Sequence, residues 1–180
     1  MSYVICVAME NQAIIMGDGR AINGKQIVTE SYKKVLCLTP NIIIGFTGIS
    51  ATCQAAIAYI RKKPMISSIG IAKSLQDYAD NPSHPCRDKC SFVIADKDVS
   101  GKIHISTYHM ESNIIVVRNP NADETVLVSL SSDEVDGYEI LRRNMLSQSG
   151  NILTNMCSAI LEVAQLDFSV NGNISWEILK

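Results

Sequence analysis

The sequence has 180 residues, of which 47% are apolar and 19% charged, and this size and composition fit one domain over residues 1–180. Sixteen Lys and Arg against eighteen Asp and Glu give a net charge of −2, which leaves no positive surplus for a nucleic-acid backbone. The longest apolar runs are far shorter than the roughly 20 residues that cross a bilayer, and the first ten residues lack the pattern of a signal peptide. We therefore expect a cytoplasmic protein with neither a nucleic acid nor a membrane as partner.

The first half of the chain predicts about four strands followed by two helices. Short β-branched runs separated by Gly, Asn and Pro predict strands at residues 3–8, 13–16, 34–38 and 42–46. Ala-rich helical spacing predicts a helix over residues 50–63, which Pro64 ends, and a second helix over about 68–79.

The second half predicts a similar order of strands and then helices. Four strands are predicted at residues 91–95, 102–107, 113–118 and 125–130. Ser131 or Ser132 can cap a third helix, which carries Val135, Ile140, Leu141 and Met145, and apolar residues all round 152–166 predict a helix packed on both sides. Short strands are predicted at 168–170 and 174–179. Helix pairs segregated from hairpin-built sheets favour a layered α+β sandwich over a parallel sheet.

The six cysteines predict reduced thiols rather than disulfides. Four of them lie within apolar segments and are expected to be core residues: Cys6, Cys37, Cys53 and Cys157. The other two, Cys86 and Cys90, lie near His84 in a loop where zinc is conceivable. Only one Cys pair is present there, and the neighbouring Arg87 and Lys89 oppose a cation. We therefore expect a surface loop without metal, and no cofactor elsewhere.

Two glycine-containing turns are the segments most suggestive of chemistry. Asp18 stands between Gly17 and Gly19, directly after a predicted strand. The segment Gly45-Phe46-Thr47-Gly48 joins a predicted strand to a predicted helix, so its amides could bind an oxyanion beside the positive end of the helix. Taken alone, each segment also fits an ordinary tight turn.

Together, the order and spacing of these segments resemble the peptidase subunits of proteasome-type proteases, and the HslV type most closely. The segments that carry the resemblance are residues 2–7, 17–21, 32–35, 45–48, 92–96 and 101–103. The resemblance implies the four-layer α-β-β-α sandwich of the N-terminal-nucleophile hydrolases. It also implies a ring-like homo-oligomer and an ATP-dependent unfoldase that delivers peptide or protein substrates.

The same resemblance implies peptide-bond hydrolysis by the first residue of the mature chain. Removal of Met1 would expose Ser2, whose hydroxyl would be the nucleophile and whose α-amine, with an ordinary pKa of about 8, would be the base. Lys34 would place a positive charge beside them, Asp18 would orient Lys34, and the Gly48 amide would bind the oxyanion. Supporting roles are implied for Arg20, Ser131 and Asp167.

Two departures from the family pattern keep other functions open. Ser2 replaces the usual Thr, and the glycines that usually flank the supporting Ser are missing around Ser131. With no leader before Met1, we expect its removal to be the only step that creates the nucleophile. If Met1 is retained, the chain would be an inactive assembly or binding subunit. A third alternative is an amidohydrolase acting on a small amide.

Overall fold

Two antiparallel sheets lie face to face in a computed structural model of the chain, which describes residues 2–82, 86–131, 135–147 and 150–180. The first sheet has four strands, in the spatial order β10 (Val126–Leu130), β1 (Val4–Met9), β2 (Gln12–Asp18) and β11 (Ile174–Leu179). The second has five, in the order β5 (Val35–Thr39), β6 (Ile42–Thr47), β7 (Ser91–Lys97), β8 (Ile103–His109) and β9 (Ile114–Arg118). A separate hairpin pairs β3 (Ala21–Asn23) with β4 (Gln26–Thr29).

Two helix pairs cover the outer faces of the sheets. The helices α1 (Ser50–Ile60) and α2 (Ser68–Ala79) share an apolar cluster with the second sheet. The helices α3 (Gly137–Ser147) and α4 (Ile152–Leu166) share another with the first sheet. A third cluster fills the space between the sheets. The layers are therefore helix, sheet, sheet and helix, as predicted from the sequence.

Strand β1 shows how the sequence specifies these layers. Val4, Cys6 and Ala8 point between the two sheets, whereas Ile5 and Val7 pack under the outer helices. Successive side chains of a strand point to opposite faces, so a strand buried on both faces must be apolar at every position. This is why the run Val4–Met9 carries no alternation of polar and apolar residues.

Several predicted boundaries differ from the observed ones. The helices α2 and α4 have the predicted bounds, but α1 ends at Ile60 and the hairpin β3–β4 was not predicted. Helix α3 starts at Gly137 instead of near Ser131, and the carboxylate of Asp136 accepts a hydrogen bond from the Glu139 amide at 3.0 Å. The alternative cap, Ser132, lies outside the described residues. The predicted strand at 168–170 is a turn, in which the Val170 amide donates to the Asp167 carbonyl.

Two predictions of burial were wrong. Helix α4 packs on one side only, because Leu161 and Leu166 on its outer face are 48% and 63% exposed. Cys37 is exposed because it lies in β5, which is at the edge of its sheet. Cys6 and Cys53 are buried as predicted, and Cys157 is half-buried.

No helix within the described part of the chain is long and apolar enough to cross a membrane.

Candidate active site

Asp18 joins the two ends of the β1–β2 hairpin in the interior of the molecule. It is the last residue of β2, and its side chain is fully buried. Its Oδ1 atom accepts a hydrogen bond from the Tyr3 amide at 2.8 Å, and its Oδ2 atom accepts one from the Arg20 amide at 2.9 Å. The Asp18 amide donates in turn to the Tyr3 carbonyl at 3.1 Å. This exchange fixes the peptide that directly follows Ser2.

Lys34 forms a buried ion pair with Asp18. It directly precedes β5, and its Nζ atom donates to both carboxylate oxygens of Asp18 at 2.8 Å and to the Arg20 carbonyl at 2.6 Å. Burial lowers the pKa of Lys34, because the charged ammonium loses water, while the Asp18 carboxylate opposes this shift. The result is an oriented ammonium group that gives up a proton more readily than an exposed lysine.

Gly48 occupies a position that strongly favours glycine. It lies between β6 and α1 with a φ of +115°, a conformation that L residues rarely adopt. A Cβ atom there would also stand 2.1 Å from the Lys89 carbonyl oxygen and 2.8 Å from the Cα atom of Cys90. Glycine therefore allows the backbone of this turn to pack directly against the segment that precedes β7.

Ser2 and Gly48 together line two cavities of different character. The first, about 330 Å³, is mostly polar, and its other lining residues include Lys89, Ser91, His109 and Ser131. The second, about 640 Å³, is also lined by Lys34 and has an apolar wall formed by Ile22, Val28, Tyr32, Phe46 and Ile49. A substrate bound across Ser2 and Gly48 would extend into both cavities.

Asp167 and Arg20 lie in loops next to the ion pair of Asp18 and Lys34. Asp167 directly follows α4, is buried, and accepts hydrogen bonds from the amide and the hydroxyl of Ser169 at 2.7 and 2.6 Å. Its negative charge is among those that raise the pKa of Lys34 against the effect of burial. Arg20 pairs with Glu30 at 3.0 Å, donates to the Phe168 carbonyl, and lies over the Phe168 ring.

Sequence reasoning missed Asn171, which connects three segments around Asp18. Its Oδ1 atom accepts from the Gly19 amide at 2.9 Å, and its Nδ2 atom donates to the Glu30 carbonyl at 2.9 Å and to the Glu30 carboxylate.

His109 was also not assigned to the site. It lines the first cavity, its Nδ1 atom lies 2.9 Å from the Ser91 hydroxyl, and burial lowers its pKa.

The zinc hypothesis receives no geometric support. Within the described residues, no group of three or more His, Cys, Asp and Glu side chains is arranged to hold a metal ion. Cys86 and Cys90 are free thiols, and His84 lies outside the described residues.

Comparison with known proteins defines the fold. The family model described as "Proteasome subunit" matches residues 2–70, which hold Ser2, Asp18, Lys34 and Gly48. The structure superposes on that of eukaryotic HslV from Trypanosoma brucei with a TM-score of 0.75 and 16% sequence identity, over 99% of both chains. The chain has the proteasome-type fold. The resemblance and the α-β-β-α architecture predicted from the sequence are thereby confirmed. No curated protein matches the sequence.

Proposed function

We propose that this proteasome-type chain is an N-terminal-nucleophile peptidase in which Ser2, exposed by removal of Met1, attacks a peptide carbonyl. The observation that carries the proposal is the buried carboxylate of Asp18, which bonds both the Tyr3 amide and the Lys34 ammonium. A buried charge pair is costly to maintain, and here it is joined to the residue that follows the nucleophile. Such an arrangement is typical of a site in which charges are oriented for proton transfer.

The chemistry assigns one role to each group. The α-amine of Ser2 accepts the hydroxyl proton as Oγ attacks, since its ordinary pKa of about 8 is near neutral pH. The oxyanion of the tetrahedral intermediate accepts a hydrogen bond from the Gly48 amide. The α-ammonium then protonates the leaving amine, and water attacks the resulting ester with the same amine as base. Lys34 favours the unprotonated amine by its positive charge, and Asp18 holds Lys34 in place. Arg20, Ser131 and Asp167 support this arrangement.

The second cavity favours peptides as substrates. Its apolar wall contains two aromatic residues, Tyr32 and Phe46. The centroids of their rings lie 6.2 Å apart in an edge-to-face arrangement. An apolar side chain of a peptide would lose its contact with water there, and this burial stabilises the complex. We further propose, by analogy with the fold, a ring-like homo-oligomer supplied by an ATP-dependent unfoldase. A cytoplasmic location remains a prediction from the sequence.

The test begins with the mass of the purified protein. We expect an intact mass that lacks Met1 and modification of Ser2 by an electrophilic peptide such as an epoxyketone or a boronate. Ser2→Ala should lose all hydrolysis of fluorogenic peptides, whereas Ser2→Thr should keep it. Ser100→Ala is the matched control, because Ser100 is exposed in the turn between β7 and β8 and lines neither cavity. It should retain the wild-type rate.

Two results would replace the proposal by one of its alternatives. Full retention of Met1, with the wild type and Ser2→Ala equally inactive, would indicate an inactive assembly subunit. Loss of Met1 and labelling of Ser2 without any peptide cleavage would indicate hydrolysis of a small amide.

A further inference from the structure

One wall of the first cavity is a row of polar side chains that crosses three strands of the second sheet. Thr47 of β6 is the register partner of Ser91 in β7, and Ser91 is the partner of His109 in β8. Further along the same strands, apolar residues fill the space between the sheets, among them Ile43, Val93 and Ile105. Side chains two or four residues apart in a strand share a face, so the polar row faces the first sheet. The space between the sheets therefore changes from apolar to polar where the cavity opens.

Hydroxyl groups supply much of the polarity of this cavity. Within the described part of the chain, six hydroxyl side chains line it: Ser2, Thr47, Ser91, Ser112, Ser129 and Ser131. Two charged residues, Lys89 and Glu111, also line it, and they are exposed and opposite in sign. The cavity therefore offers hydrogen-bond donors and acceptors without an excess of either charge.

The contact between His109 and Ser91 makes this pair a donor and an acceptor at once. The Nδ1 atom of His109 lies 2.9 Å from the Ser91 hydroxyl oxygen. Burial lowers the pKa of His109, so its ring is neutral at pH 7 and carries one N–H group. If Ser91 donates to Nδ1, then Nε2 is a donor and the hydroxyl oxygen accepts. In the other tautomer, Nε2 accepts and the hydroxyl donates. Either tautomer presents one donor and one acceptor.

A carboxamide is the side-chain group that matches such a pair. Its NH2 group donates and its carbonyl oxygen accepts, whereas a carboxylate only accepts and an ammonium only donates. An apolar side chain would leave the polar groups of the wall without partners, which costs free energy. Neighbouring strands lie about 4.8 Å apart, so His109 is about 10 Å from Thr47, two strands away. This distance favours glutamine over the shorter asparagine.

We propose that the first cavity binds a glutamine side chain of the substrate and that His109 determines this specificity. The specificity rests on the proposed function, because it concerns the same site. Ser2 and Gly48 line both cavities, so a peptide bond attacked by Ser2 would lie between them. With an apolar residue in the second cavity, the preferred substrates carry an apolar residue on one side of the cleaved bond and glutamine on the other.

The test compares peptides that differ at one residue. Quenched fluorogenic peptides carry leucine on one side of the cleaved bond and glutamine, glutamate, lysine or leucine on the other, in both orders. We expect kcat/KM for one of the two glutamine peptides to exceed that of all the others by about tenfold, because the carboxamide gains two hydrogen bonds. The difference should lie mainly in KM, since these bonds also form in the bound ground state.

Variants of His109 assign the preference to one side chain. His109→Leu should abolish the difference in kcat/KM between the glutamine and leucine peptides. His109→Gln keeps a donor and an acceptor and should retain a preference for glutamine, which separates hydrogen bonding from packing. His104→Leu is the matched control, because His104 lies on the same strand and lines neither cavity. It should keep the wild-type preference.

The outcomes separate this specificity from the hydrolysis itself. A preference for glutamate, lysine or leucine, or a glutamine preference that survives in His109→Leu, would overturn the proposal. Binding of labelled peptides of the same sequences is also measured by fluorescence anisotropy, with the wild type and with Ser2→Ala. If no peptide is hydrolysed, the proposed function fails, but tighter binding of a glutamine peptide that is lost in His109→Leu would still support the specificity. Equal binding of all peptides, or no binding, would overturn it.

Discussion

Two carboxylates, Asp18 and Asp98, each accept hydrogen bonds from backbone amides and from a basic side chain, but at different places in the fold. Asp18 is fully buried and bonds groups from three segments of the chain, Tyr3, Arg20 and Lys34. Asp98 lies in the exposed turn between β7 and β8. Its oxygens accept from the amides of Ser100 and Lys102 and from the His104 ring, all within six residues.

The difference separates a carboxylate that organises tertiary structure from one that organises a turn. Water screens the Asp98 interactions, and the turn can form on its own. Water does not screen the Asp18 interactions, because Asp18 and Lys34 are both buried. They form only when the segments that carry Tyr3, Arg20 and Lys34 meet. If either Asp18 or Lys34 were removed, the other would be a buried charge without a counter-charge. We therefore expect substitutions around Asp18 to cost much more than equivalent substitutions around Asp98.

The largest effect is expected for Asp18→Ala, which leaves the Lys34 ammonium buried without its counter-charge. The free energy of unfolding should fall by about 3–5 kcal/mol, as measured by urea denaturation at pH 7. Asp98→Ala is the matched control and should lower it far less. A double variant, Asp18→Leu with Lys34→Met, should be more stable than Asp18→Ala because it removes both charges. Equal losses for Asp18→Ala and Asp98→Ala would contradict the comparison.

A smaller effect is expected when the glycines of the two regions are compared. Gly48→Ala combines an unfavourable φ with a clash against the Lys89 carbonyl. It should lower the free energy of unfolding by about 2–3 kcal/mol. Gly101→Ala, in the Asp98 turn, shares a positive φ of 87°, but its new methyl group would meet only the end of Lys97 at 3.6 Å. It should cost about 1 kcal/mol. Thermal unfolding of both variants measures the difference, and similar midpoints would show that the backbone around Gly48 can relax.

The smallest effect is expected at His104 and depends on pH. The hydrogen bond to Asp98 and that to Asn119 raise the pKa of His104 above its usual 6.5. A raised pKa in the folded state stabilises the protein below about pH 6.5, and this contribution disappears as the pH rises through the raised value. His104→Gln should therefore lower the unfolding midpoint slightly at pH 5.5 and less at pH 9. NMR titration of His104 checks the pKa directly, and a value at or below 6.5 would refute the prediction.

The sequence was most informative where its motifs resemble those of a known family. That resemblance implied that Asp18 and Lys34 are neighbours, and in the structure their side chains lie 2.8 Å apart. Helices α2 and α4 have the bounds that their apolar patterns predicted. The hairpin β3–β4 was missed although Asn23-Gly24 is a strong hairpin signal, because its strands have only three and four residues.

The remaining features depend on contacts that no local pattern encodes. Asn171 meets Gly19 across 152 positions of the chain, and only the folded loop after α4 brings them together. Leu161 and Leu166 read as core residues, because an apolar residue on an outer helix face cannot be distinguished by type from a buried one.

The strand order of the first sheet has a consequence for the sequence of events during folding. Strands β5 to β9 of the second sheet pair with chain neighbours, whereas β1 and β2 pair outward with β10 and β11, more than 110 and 150 residues further along the chain. Contacts between distant segments form late, because closing long loops is slow. The strand that ends at Asp18 therefore gains its outer neighbour only after β11 has been made. A nascent chain on the ribosome would lack the complete surroundings of Asp18 until β11 emerged.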